Sequence, residues 1–124
     1  MSTLSVSNIT DGTDTVETGY VVNGSAKAWV NFDGIGTIAT RDSLNVSSLT
    51  DTNVGQYSVN LTNNFASANY CLTMSGSHNA DADEGVDIAI SGFLAGSFAY
   101  FNRNGAGTYY DTSILCGEAN GDLA

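Results

Sequence analysis

DSLNVSSLTDTNVGQYSVNLT, residues 42–62, reads as a strand, a turn and a returning strand. Tyr57, Val59 and Leu61 alternate with Ser58, Asn60 and Thr62, the period of two that turns one side of a strand to a core and the other to water. Leu44 and Val46 keep that period, but Leu49 follows three residues later, which predicts a bulge at Ser47 and Ser48. Asp51 to Gly55 supplies the turn, where Asn and Gly accommodate the positive φ angles of tight connections.

The same alternation continues outward. Tyr70, Leu72 and Met74 alternate with Cys71 and Thr73, and Val86, Ile88 and Ile90 alternate with Asp87 and Ala89. Clusters such as NFDGIGT, TNNFASAN, NRNGAGT and CGEANGD separate these runs and carry turn chemistry. Short strands at such intervals predict an all-β protein, a single small β-sandwich or jelly-roll-like domain over residues 26–124. In AKAWVNF, residues 26–32, Ala26, Ala28, Val30 and Phe32 share the face expected to meet the core. Trp29 then lies on the opposite face, covered by a neighbouring element or by another subunit. Residues 1–25 are poor in apolar side chains and interrupted by the acidic DGTDTVE. They read either as an N-terminal arm, reaching roughly 80 Å if fully extended at about 3.3 Å per residue, or as an edge strand followed by a loop.

A length of 124 residues suits one domain with one core. Thirteen acidic residues against three basic ones give a net charge of -10, a surface that repels a phosphate backbone and excludes nucleic acid as the expected partner. Only 13% of residues are charged, so Ser, Thr, Asn and Gly must cover most of the surface. MSTLSVSNIT has neither a basic start nor a continuous apolar run, so no secretory signal and no membrane insertion are expected. The sequons at Asn8, Asn23, Asn45 and Asn60 follow from composition, and no glycans are assigned to them. Cys71 and Cys116 read as small apolar residues rather than a disulfide framework.

Chemistry-bearing motifs are sparse. In SHNADADEGVD, residues 77–87, Asn79, Asp81 and Asp83 echo the start of a calcium loop, but Gly85 comes one place late, so they are weak calcium candidates. His78 is the only histidine, and with Ser75, Ser77 and Asp81 it lies in one loop that offers no rigid frame for a triad. Glu17, Glu84 and Glu118, with many Asp, could furnish a carboxylate pair for glycoside cleavage, but nothing selects two of them. The expectation is a non-enzymatic protein without a cofactor, with carbohydrate hydrolysis as a remote alternative.

VVNGSAKAWVNFDGIGTIATRDSLNVSSLTDTNVGQYSVNLT, residues 21–62, resembles a module of tail-fibre-like and other exterior virion proteins of tailed, notably marine, bacteriophages. NGSAKAWVNF, the Gly-containing turn, the RDS and VSS strand and the returning YSVN strand carry the resemblance, which extends loosely into LSVSNITDGTDTV and fades after NYCLTMSG. It implies an all-β domain, often a homotrimer, attached by its N-terminal segment to other capsid or tail proteins on the particle exterior. AKAWVNF would then be a scaffold strand. Two roles fit: a fibre-like appendage contacting a host surface glycan or protein, favoured by the wording, and a capsid decoration protein, favoured by the small size. Residues 63–124 depart from the resemblance. There Phe98, Tyr100, Phe101, Tyr109 and Tyr110 are candidate aromatic contacts beside Trp29, with inward packing as the competing reading.

Overall fold

The computed structural model describes residues 1–77 and 86–124. A short hairpin of β1 (Asn8–Thr10) and β2 (Thr15–Glu17) and a helix α1 (Thr18–Gly24) precede the main body. That body consists of β3 (Ala26–Asp33), β4 (Ala39–Leu44), β5 (Val46–Asn53), β6 (Gln56–Leu61), β7 (Cys71–Gly76), β8 (Val86–Leu94), β9 (Ser97–Asn104) and β10 (Leu115–Asn120). They form two four-stranded sheets, ordered β4-β3-β10-β7 and β5-β6-β9-β8, with every pairing antiparallel. The protein is an all-β sandwich.

Alternation decides which side chains meet between the sheets. From the first sheet Ala28, Val30, Phe32, Leu115 and Ala119 point inward; from the second Tyr57, Val59, Leu61, Phe98 and Tyr100 do. Each large side chain removed from water in this way contributes roughly 1.5–3 kcal/mol. Phe32 meets Tyr57 edge-on with centroids 5.4 Å apart and Tyr100 at 5.9 Å, so one ring of the first sheet locks against two of the second. Gly117, inward on β10, leaves room for the Phe98 ring, which an added Cβ would meet at 3.4 Å. One end of the sandwich is closed by Phe65 stacked on Tyr70 at 4.1 Å, with Phe93 edge-on to Tyr70 at 5.1 Å. The Tyr70 hydroxyl donates to the Leu94 and Ser97 carbonyls at 3.2 and 2.9 Å.

The bulge read from the Leu49 spacing is present: Val46 pairs with Leu61 and Ser48 with Asn60, leaving Ser47 as the extra residue. Its hydroxyl donates to the Asn60 and Leu61 carbonyls. Residues 42–50, however, do not form one strand. The chain turns at Asn45, which takes φ +58, and passes from the edge of one sheet to the edge of the other. Asn tolerates this left-handed conformation, and its amide exchanges bonds with the backbone of Asn63 at 3.0 and 2.7 Å. The alternation of Val86, Ile88 and Ile90 is kept, pairing them with Asn104, Asn102 and Tyr100, although Ile90 on the edge strand stays 40% exposed. The register shifts only after Ile90, and the shift brings Phe93 opposite Phe98 and against the core.

Two glycines with nearly equal φ separate backbone strain from steric contact. Gly55, at φ +64, is buried, and a Cβ there would lie 2.6 Å from the Asn102 carbonyl and 2.7 Å from that of Tyr110; Gly36, at φ +65, has nothing within 4 Å. Gly36→Ala is expected to cost about 1–2 kcal/mol from conformation alone. Gly55→Ala adds a backbone clash and is expected to cost about 3–5 kcal/mol. Urea unfolding curves should show the larger midpoint shift for Gly55→Ala, at unchanged slope.

Candidate functional site

The outer face of the β4-β3-β10-β7 sheet carries the single Trp. The register sets two rows of side chains across it: Leu44, Trp29, Glu118 and Thr73 in one, and Asp42, Asn31, Cys116 and Ser75 in the next. Neighbouring strands lie about 4.8 Å apart and successive same-face rows about 7 Å apart along them. Trp29, Asn31, Thr73, Ser75, Cys116 and Glu118 line a shallow depression of about 390 Å³. Trp29 is half-buried and Glu118 and Thr73 are exposed. Asn31 accepts a long 3.4 Å bond from Arg41, whose other terminal nitrogen pairs with Asp33 at 3.0 Å. Among the described residues Glu118 is the only carboxylate lining the depression, whereas glycoside cleavage calls for two.

The other candidate aromatics divide between core and surface. Phe98 and Tyr100 are fully buried; as inner-face residues of β9 they fill the space between the sheets and present no contact surface. Phe101, one step out of phase, lies on the outer face of the second sheet, edge-on to exposed Tyr109 at 5.5 Å. Arg103 stands 4.9 Å above the Phe101 ring and pairs with Asp87 at 2.6 Å. Tyr110 is half-buried, and its hydroxyl is enclosed without a hydrogen-bond partner among the described residues.

Sequence reading passed over Asp111, which organises the end of the sandwich opposite Tyr70. One of its oxygens accepts from the Tyr57 hydroxyl at 2.6 Å and from the Gly55 amide at 2.8 Å, tying the loop before β10 to the β5–β6 turn. Ser77, considered for a triad, is engaged with Thr112: their hydroxyls lie 2.8 Å apart, and Thr112 also donates to the Ser77 carbonyl at 2.7 Å. Cys71 and Cys116 are both free. Cys116 pairs with Ser75, four positions along β7 from Cys71, too far for a bridge. His78, Asn79, Asp81, Asp83 and Glu84 lie outside the described residues. Among the described residues no three His, Cys, Asp or Glu side chains cluster to hold a metal, and no helix is long and apolar enough to cross a membrane.

Comparison with protein-family models, curated proteins and solved structures finds no match to the chain.

Burial first, then the Asp111 carboxylate, raises the Tyr57 phenol well above its ordinary value, and burial does the same for Tyr100. Tyr70 is pushed up to about 12 by burial. For each, the folded pKa exceeds the unfolded one of about 10. The stabilisation is therefore complete below about pH 10 and drains away as pH rises toward the folded values. Phenolate absorbance should show these three tyrosines titrating only with alkaline unfolding, and thermal stability should fall above about pH 10. In Asp111→Ala the Tyr57 hydroxyl and the Gly55 amide lose their acceptor, and stability should drop by about 2–4 kcal/mol at neutral pH.

Proposed function

We propose that this chain is a non-enzymatic structural protein of the exterior of a tailed-bacteriophage particle, fibre-like and homotrimeric, attached through residues 1–25 to other virion proteins. The observation that carries the reading is the physical incompleteness of that segment. Among the described residues β1 and β2 pair only with each other, and α1 buries none of its residues. A lone two-stranded hairpin is marginal in water, as is a seven-residue helix. Yet the segment exposes Leu4 at 82%, Tyr20 at 72% and Val22 at 57%, with Val6, Ile9 and Val21 also on the surface. Ile9, Thr10, Asp11, Asp14, Thr15 and Val16 further enclose a concavity of about 330 Å³. Such side chains stabilise the segment only when a neighbouring protein covers them.

Local bonds preset its shape. The Asp14 and Thr13 amides donate to the Asp11 carboxylate, each at 2.9 Å, and hold it below the usual carboxylate range. Lys27 donates to the carbonyls of Val22 and Ser25, and Asn120 donates to that of Gly24 at 3.0 Å. These contacts set the angle at which the segment leaves the sandwich. The resemblance of residues 21–62 to exterior virion modules points to a particle as the source of the covering surface.

The test is deletion of residues 1–25. The remaining sandwich should keep its β circular-dichroism spectrum and cooperative melt, while incorporation into particles should fall by about tenfold or more. Incorporation at the full-length level would refute the assignment. Copy number in purified particles then separates the two roles: a few copies at a tail or vertex fit the fibre-like role, and hundreds over the shell fit capsid decoration.

A further inference from the structure

We infer that the depression around Trp29 on the outer face of the first sheet is a binding site for a neutral saccharide. It deepens the reading above by naming a ligand class for the exposed domain, and it rests on that reading only for its biological setting.

The face carries unpaired chemistry. The Trp29 indole N–H, the Asn31 amide nitrogen, the Thr73 and Ser75 hydroxyls and the Glu118 carboxylate have no hydrogen-bond partner among the described residues. They surround one half-buried aromatic surface in a depression of about 390 Å³. Concave sites that combine an apolar platform with a few convergent polar groups suit a small ligand that is itself two-sided. A pyranose ring is such a ligand: its C–H face lies against the indole, while its hydroxyls both donate and accept.

The donor and acceptor inventory favours this occupant over a second protein surface. Glu118 only accepts, the indole N–H and the Asn31 amide nitrogen only donate, and Thr73 and Ser75 do either. A sugar hydroxyl satisfies whichever partner it meets. A protein laid over the same face would have to match each fixed group, and each one buried unmatched costs about 1–3 kcal/mol. The grid of outward side chains, about 4.8 Å by about 7 Å, spreads these groups over a patch wide enough for more than one hydroxyl to engage at once.

Charge selects a neutral saccharide. The protein carries -10 overall, and Glu118 projects into the depression itself. All three Lys and Arg side chains are engaged: Lys27 with the Val22 and Ser25 carbonyls, Arg41 with Asp33, and Arg103 with Asp87. Among the described residues no cationic side chain lines the depression to receive a carboxylate, sulfate or phosphate. Among the described residues a single carboxylate lines the depression, where glycoside cleavage calls for two, so the proposed role is binding alone.

Because Trp29 is the only Trp, its fluorescence reads this site directly. The full chain is titrated with neutral glucose-, galactose-, mannose- and N-acetylglucosamine-based oligosaccharides, and with sialylated and sulfated counterparts. A saturable change is expected for at least one neutral series, with Kd of about 0.1–10 mM as befits an open depression, and none for the anionic set. Trp29→Ala, followed by chemical-shift perturbation, should weaken binding by about tenfold or more. Should that variant misfold, the double variant Thr73→Ala with Glu118→Ala, both exposed, should weaken it by at least about threefold with an unchanged melt. The inference is overturned by no saturable response in any neutral series, by equal binding of anionic sugars, or by undiminished binding in the variants. It is overturned equally if Trp29 in the native oligomer is shielded from a neutral quencher, since a second copy then covers the face. Sugar binding and arm-dependent incorporation are separate readouts: loss of either leaves the other standing.

Discussion

The sandwich depends on one meeting of rings between its sheets. Phe32 from the first sheet fits against Tyr57 and Tyr100 from the second, and two of those rings carry a hydroxyl into a place with little water. The two hydroxyls are treated differently. Tyr57 reaches Asp111 at 2.6 Å, a bond to a charged acceptor that offsets its desolvation. The Tyr100 hydroxyl has no partner among the described residues, and its burial is sustained by the packing around it. Gly34 and Gly55 follow from the same crowding. A Cβ at Gly34 would stand 2.5 Å from the Tyr57 hydroxyl, and one at Gly55 would meet the Asn102 and Tyr110 backbone.

Strand identity and facing were legible in the chain because they are local. The period of two placed Ala28, Val30 and Phe32 inward and Trp29 outward, and the extra residue before Leu49 located the Ser47 bulge. Pairing was not legible, because it joins distant residues. Nothing near Trp29 announces that Glu118, some ninety positions later, stands beside it, so the depression has no linear signature. CGEANGD reads as a turn cluster because Gly, Glu, Asn and Asp crowd it, yet residues 116–120 belong to β10, an inner strand of the first sheet, where pairing with β3 and β7 overrides that local chemistry. In the run from Phe98 to Phe101 alternation alone leaves the sign open. Phe98 and Tyr100 turned to the core and Phe101 to water because Val59 and Tyr57 oppose the first two across the ladder. The switch of sheets at Asn45 was hidden for a different reason: an Asn between two apolar residues obeys the strand pattern while its backbone leaves it.

The two outer faces show how a protein with so few charges stays covered. On the second sheet Gln56, Ser58 and Asn60 of β6 lie beside Phe101, Ala99 and Ser97 of β9, and Asn60 donates to the Ser48 and Thr50 hydroxyls. Neutral hydrogen-bonding side chains do the work usually left to ion pairs. The two ion pairs among the described residues, Arg41 with Asp33 and Arg103 with Asp87, are partly exposed and are worth at most about 1 kcal/mol each. Specific contacts by such a surface must rest on shape, aromatic rings and hydrogen bonds.

The position of β10 bears on how the molecule is made. It follows β3 and β7 in the sequence, yet it lies between them in the middle of their sheet. A nascent polypeptide that has emerged only as far as residue 114 therefore leaves unpaired the edges of β3 and β7 that β10 later joins, and the Phe98 ring lacks the cover of Gly117. Unpaired edges of that kind template wrong partners. The interval before Leu115–Asn120 leaves the ribosome is thus the stage of synthesis at which neighbouring copies on a polysome are most able to cross-pair. Insertion of these six residues ends it by closing both gaps at once.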